Sequence, residues 1–114
     1  MSHEFASVVE RLQRQQGVLG VMLVGMDDGT VIAGDAGEGR DRDSAAALAA
    51  SLFRRTRVAA DDAGFGTTTF VRLEADRGHL CAAARGDTVI VAVTATGINL
   101  GRLRLEMLGA AEAL

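Results

Sequence analysis

His79 and Cys81, two side chains of types that bind metal ions, lie two residues apart in the run HLCAAA. Residues two apart on an extended strand share a face, so the pair has the geometry of half a metal site. A structural zinc site needs four ligands, and Cys81 is the only cysteine of the chain. We therefore interpret both as ordinary strand residues and expect no metal ion and no other cofactor.

The remaining arrangements with catalytic potential have simpler structural explanations. Asp27 and Asp28 form a carboxylate pair, but Asp28-Gly29 is typical of a hairpin turn, in which both turn positions favour positive φ. No glycine-rich run ends in Lys followed by Ser or Thr, so a P-loop is absent. No nucleophile can be paired with a base. The sequence therefore predicts no catalytic residues and a protein that is not an enzyme.

A basic cluster of Arg54, Arg55 and Arg57 follows an alanine-rich run. Cations near the C-terminal end of a helix are favoured by the helix dipole, so a solvated helix face is one explanation. Arginine is also enriched at protein interfaces, so a contact surface is the other. On the second interpretation, Arg54 and Arg55 form a candidate rim for partner binding.

Composition indicates one globular domain over residues 1–114, with a net charge of −3. That charge does not favour nucleic acid or anionic lipid. A single cysteine excludes an intrachain disulfide. The first residues lack the pattern of a signal peptide, and no apolar run is long enough to span a membrane. We expect a cytoplasmic protein.

Eight elements must position these side chains, in the order α-β-β-α-β-β-β-α. They are a helix capped by Ser2 and ending at Gly17, strands 18–26 and 30–36, a helix over 43–62 ending at Gly64, strands 67–74, 79–84 and 88–95, and a helix capped by Asn99. The most apolar strands, 18–26 and 88–95, are expected side by side, because a strand covered on both faces has a continuous apolar run. The strands 30–36 and 67–74 then lie at the two edges.

The middle helix, DSAAALAASLFRRTRVAADD, has more apolar surface than one neighbour can cover. At about 100° per residue, one arc contains Leu48, Leu52, Ala45 and Ala59, and an adjoining arc contains Phe53, Ala46, Ala49, Ala50 and Ala60. We assign the first arc, with the bulky leucines, to the chain's own sheet. The second arc then meets a second copy about a two-fold axis. The alternative is that alanine is abundant only as a strong helix former.

Three segments resemble the Roadblock family of dynein light chains and MglB-like bacterial regulators. They are GVLGVMLVGMDDGTVIA, SAAALAASLF and GINLGRLRLEM, the last carrying Asn99-Leu100-Gly101 at a helix start. The resemblance covers nearly the whole chain. It implies an α+β fold of the profilin-like type, with a five-stranded antiparallel sheet of order 2-1-5-4-3. The middle helix would lie on one face and the terminal helices on the other.

The resemblance also implies a homodimer in which the middle helices pack together and the third strands pair. The corresponding positions here are Ala46, Ala49, Ala50, Phe53, Arg57, Thr67, Thr69 and Val71. It further implies a non-catalytic scaffold that regulates a Ras-like small GTPase without inserting an arginine finger, so Arg54 and Arg55 receive no catalytic role. The alternative class is a PAS-like small-ligand sensor, which shares the strand order.

Overall fold

The computed structural model describes the backbone of residues 3–114 and the side chains from Ala6 onward. The predicted cap Ser2 and the side chain of Phe5 lie outside this part. The elements are α1 (His3–Gln13), β1 (Val18–Gly25), β2 (Val31–Gly34), α2 (Arg42–Asp62), β3 (Phe70–Ala75), β4 (Gly78–Arg85), β5 (Thr88–Thr94) and α3 (Leu100–Glu112). The strands form one antiparallel sheet of order β2-β1-β5-β4-β3. The predicted α+β class and strand order are confirmed.

The sheet separates two apolar cores, which the alternation of the central strands supplies. Met22 and Val24 of β1 pack with α2, whereas Val21 and Leu23 pack with α1 and α3. Because β1 and β5 are covered on both faces, each has the continuous apolar run that predicted its central place. None of the helices within residues 3–114 is long and apolar enough to cross a lipid bilayer.

The hairpin between β1 and β2 is confirmed, but the two-residue turn predicted for it is wrong. The amide of Gly25 donates to the carbonyl oxygen of Thr30 at 2.8 Å, which closes a longer loop. Gly29 has a φ of 71°, and no residue other than glycine has a positive φ anywhere in 3–114. Asp28 instead accepts a hydrogen bond from the Thr30 amide at 2.9 Å, which lowers the pKa of its carboxyl group. This side-chain bond supports the loop without a left-handed Asp28.

Helix α2 begins after Asp41 and ends in a glycine cap, as predicted for Gly64. Gly64 has a φ of 87°, and its amide donates to the Asp61 carbonyl oxygen at 3.0 Å. The amide of Phe65 donates to the Ala60 carbonyl oxygen at 2.9 Å. These two bonds form a Schellman motif, which fixes the backbone of Phe65 against the end of the helix.

The orientation predicted for α2 is wrong, because its two apolar arcs are exchanged. Four residues assigned to a partner are fully buried against the chain's own sheet: Ala46, Ala49, Ala50 and Phe53. Leu48, assigned to the core, is 46% exposed. Three alanines let the helix backbone approach the sheet closely, and the single Phe53 ring then fills the remaining space between the layers.

Candidate protein-interaction site

The two edges of the sheet differ in how well they are protected. At one edge, β2 has four residues and an irregular register opposite Leu23 and Val24. At the other edge, β3 pairs with β4 from Phe70 to Ala75 and has no strand on its outer side within residues 3–114. A short, irregular edge resists pairing with another chain, whereas a regular edge presents free amides and carbonyls to one. The β3 edge is therefore the better template for a second strand.

The surface of α2 that faces away from the sheet is partly apolar. We call it the outer stripe, and it consists of Leu48, Leu52, Arg55, Val58 and Ala59. Leu48 is 46% exposed and Val58 is 61% exposed, while Leu52 is half-buried. An apolar helix face beside an unpaired strand edge is a typical site for contact with another protein.

The three arginines in the C-terminal half of α2 have different environments. The Nη1 atom of Arg54 donates to the carbonyl oxygen of Met26, and it lies 3.3 Å from that of Asp27. Arg54 therefore ties α2 to the β1–β2 loop and is not a free rim residue. The Arg57 guanidinium carbon lies 5.6 Å from the centre of the Phe53 ring, a cation–π contact that holds it beside the core. Arg55 is exposed on the outer stripe, as a partner-binding rim requires.

The predicted strand residues of the interface lie along the β3 edge. Thr67 and Thr69 are exposed, but they precede β3, which begins at Phe70 and not at Thr67 as predicted. Val71 is half-buried and packs against the core on the α2 side. These positions are compatible with an edge contact, and their role in a dimer stays a prediction.

An apolar groove, which we call the edge groove, lies between the N-terminal half of α2 and the β3 edge. Its volume is about 540 Å³, and its apolar lining includes Ala45, Leu48, Leu73, Leu80 and Val93. Arg40, Asp76 and Arg77 also border it, and the Nη2 atom of Arg40 donates to the Arg77 carbonyl oxygen at 2.9 Å. The groove is open to solvent, and it can accept an apolar side chain from another molecule.

Sequence reasoning missed Phe65, in the loop between α2 and β3. Its side chain is 84% exposed, and both neighbours, Gly64 and Gly66, have positive φ. Asp61 and Asp62, just before it at the end of α2, are exposed as well. The run Gly-Phe-Gly indicates an exposed ring in the sequence, because the flanking glycines have no side chains that could cover it.

His79 and Cys81 are buried, and Cys81 belongs to the core on the α1 and α3 side. Burial raises the pKa of the Cys81 thiol from 9.0 to about 11, against a smaller opposite effect of the Arg72 charge. Within the described residues, no group of three or more His, Cys, Asp or Glu side chains is placed to hold a metal ion. A neutral, enclosed thiol is a poor nucleophile, so Cys81 is a packing residue.

The sequence is similar to a defined family and to archaeal proteins. The profile of the Roadblock/LC7 domain matches residues 4–95. The uncharacterised protein MJ1340 of Methanocaldococcus jannaschii is 31% identical over 107 residues, which span 94% of this chain and 93% of that protein. The match therefore extends over nearly the whole of both chains.

Solved structures share the fold. MglB of Myxococcus xanthus superposes with a TM-score of 0.83 at 24% identity, covering 97% of this chain and 91% of that one. A Roadblock/LC7 domain from Streptomyces avermitilis superposes with a TM-score of 0.80 at 22% identity, covering 99% and 92%. These likenesses support the architecture described above, from the edge strands to the middle helix.

Proposed function

This chain belongs to the Roadblock/LC7 domain family, and from that premise we propose that it is a non-catalytic homodimeric scaffold that binds and regulates a Ras-like small GTPase. The observation that carries the proposal is the outer stripe of α2 beside the unpaired β3 edge. Leu48 of the outer stripe and Leu73 of β3 line one groove, so one partner can cover both surfaces together. A second copy of the chain is the simplest such partner.

A two-fold axis perpendicular to the sheet and next to β3 suits both surfaces. Such an axis pairs the two β3 strands antiparallel, and it leaves both α2 helices on the same face of the extended sheet. The outer stripes can then pack together, with Leu48, Leu52 and Val58 in place of the buried alanines and Phe53. Arg57, Thr67, Thr69 and Val71 remain interface candidates along the same edge.

The GTPase is the second partner. We place Arg55, an exposed member of the outer stripe, at the border between the helix contact and the GTPase-binding surface. The test is isothermal titration of the purified chain with a Ras-like small GTPase encoded beside it, loaded with GDP or with a non-hydrolysable GTP analogue. We expect binding whose affinity differs between the two loaded forms, since a regulator must distinguish them. Absence of binding in both forms would contradict the proposal.

The hydrolysis rate of the bound GTPase separates a scaffold from an arginine-finger activator. An inserted arginine accelerates GTP hydrolysis by about 10³–10⁵-fold. In the Arg55→Ala variant, at saturating concentration, we expect the maximal rate to stay within about tenfold of wild type, since no finger is involved. A loss of about a thousandfold or more would mean that Arg55 acts on the nucleotide itself.

The PAS-like sensor predicted as the alternative needs an enclosed pocket for a small ligand. In this chain, fully buried side chains such as Met22, Leu23, Ile90 and Val91 occupy both faces of the central strands. The edge groove lies at the border of the sheet and opens to solvent. The structure therefore favours a protein partner over an enclosed ligand. A small molecule that co-purifies and raises the melting temperature would favour the sensor.

A further inference from the structure

We propose that Phe65 of one copy inserts into the edge groove of a second copy, with Asp61 and Asp62 facing Arg40 and Arg77 at the groove's rim. The inference rests on the proposed homodimer and adds the contact that sets its register. Four observations carry it: an exposed ring on a fixed backbone, an apolar groove, their positions at opposite ends of one sheet edge, and complementary charges.

Phe65 is an exposed ring on a rigid support. Its side chain is 84% exposed, although the Schellman motif holds its backbone against the helix end. In such motifs the side chain at this position often folds back onto the last turn of the helix. Here the corresponding residue of that turn is Ala60, which offers little apolar surface. A fixed backbone loses little conformational freedom on docking, which favours the use of this ring as an anchor.

The edge groove has the chemistry and size to hold that ring. Leu48 and Leu73 lie on its two walls, one from α2 and one from β3, and its volume is about 540 Å³. An apolar protein cavity of about 150 Å³ is large enough for benzene. The groove can therefore take a phenylalanine ring and leave room for adjustment.

The two-fold axis brings the ring and the groove together by two routes. Antiparallel pairing of the β3 strands carries residues 65–69 of the second copy past Ala75, towards the Asp76–Arg77 turn that borders the groove. Antiparallel packing of the α2 helices brings the C-terminal end of one helix to the N-terminal half of the other. Ala45 and Leu48 line the groove from that half. Strand and helix geometry thus give the same placement.

The charges next to the ring and the groove are complementary. Asp61 and Asp62 lie at the C-terminal end of α2, where the helix dipole disfavours acids. Among the side chains from Ala6 to Leu114, neither forms a salt bridge, and neither do Arg40 and Arg77. Asp76 reduces the positive charge of the rim without cancelling it. A contact between copies would explain why two acids are kept at an unfavourable helix end.

Sedimentation of purified variants tests the insertion through the dissociation constant of the dimer. Two symmetric rings are lost in Phe65→Ala, so we expect the constant to rise by about 100-fold or more. Phe65→Leu should recover part of the affinity, since leucine is apolar and fills part of the volume of the ring. Leu105→Ala is the matched control, because Leu105 is 67% exposed on α3, on the other face of the sheet. It should leave the constant unchanged.

Charge exchange tests the predicted partners of the acids. The variant Asp61→Arg with Asp62→Arg should weaken the dimer, because the rim then faces like charges. Adding Arg40→Asp and Arg77→Asp to the same chain should restore part of the affinity. All four positions are exposed, so circular dichroism should show the native fold in each variant. Independent, additive losses would overturn the pairing.

The outcomes separate this inference from the proposal on which it rests. A wild-type chain that is monomeric at tens of micromolar would overturn both the dimer and the insertion. A wild-type dimer whose dissociation constant is the same in Phe65→Ala would overturn the insertion alone, and the homodimer would stand. A selective loss in Phe65→Ala, with recovery in Phe65→Leu, supports the insertion.

Discussion

At the scale of single residues, Cys81 shows how burial decides the chemistry of a side chain. In the sequence it is half of a His-Cys pair. In the fold it is enclosed between β4 and the α1 and α3 layer, where its thiol pKa rises to about 11. The unfolded thiol ionises near 9.0, so between these values the unfolded chain has lost a proton that the folded chain keeps.

We predict that Cys81 makes stability fall at high pH. Its contribution is fully present below pH 9.0 and is lost as the pH rises through about 11, because ionisation favours the unfolded state. The measurement is denaturant unfolding of wild type and Cys81→Ala over this range. The free energy of unfolding should decline more steeply in wild type. Parallel declines would show that the thiol is not responsible.

At the scale of the elements, α2 shows that the same helical periodicity is compatible with either of two apolar arcs packing on the sheet. Its inner arc is built from alanines and one ring, and its outer stripe has the leucines and Val58. Bulk alone suggested the opposite assignment. A helix packs closest to a sheet through a face of small residues. The distance between helix and sheet also depends on the side chains that the sheet presents.

We predict that truncation of Phe53 and truncation of Leu48 differ in their effect on the free energy of unfolding and in how that effect depends on protein concentration. Phe53→Ala should cost about 3–5 kcal/mol of unfolding free energy, since it leaves a cavity in the core. Leu48→Ala should cost about 1 kcal/mol or less in the isolated chain. Its effect should grow with protein concentration, because Leu48 lies in the proposed interface. Urea unfolding at two concentrations measures both. If Leu48→Ala lost more unfolding free energy than Phe53→Ala at low concentration, the orientation of α2 would be contradicted.

At the scale of the whole molecule, the proposed dimer couples stability to concentration. Only the folded chain presents the outer stripe and the β3 edge, so association stabilises folding by mass action. We predict a melting temperature that rises with concentration. Above the dissociation constant, each tenfold increase adds about 1.4 kcal/mol of stabilisation per mole of dimer, or about 0.7 kcal/mol per chain. Scanning calorimetry over a hundredfold range measures it.

Val58→Arg is the control for the concentration dependence of the melting temperature. Val58 is 61% exposed, so the arginine can be solvated in a monomer but not in a packed helix pair. Its melting temperature should be independent of concentration, and light scattering should give the mass of one chain. If wild type gave the same constant temperature and mass, the interaction surfaces would need another partner.

The sequence by itself determined the order of the elements and the order of the strands. Runs such as residues 18–26 are apolar on both faces, which only a central strand tolerates, and Gly64 marks a helix end through a conformation that other residues avoid. These signals are local, so they can be read from neighbouring residues. The edge place of β3 follows from the same argument, by elimination of the central positions.

Only the tertiary structure decided which side of α2 faces the sheet, that Arg54 is engaged by the β1–β2 loop, and that an apolar groove lies between α2 and β3. Helical periodicity defines two apolar arcs, but it does not determine the rotation of the helix about its own axis. That rotation depends on distances to residues far away in the chain, where Ala46, Ala49 and Ala50 allow close approach and Phe53 fills the gap.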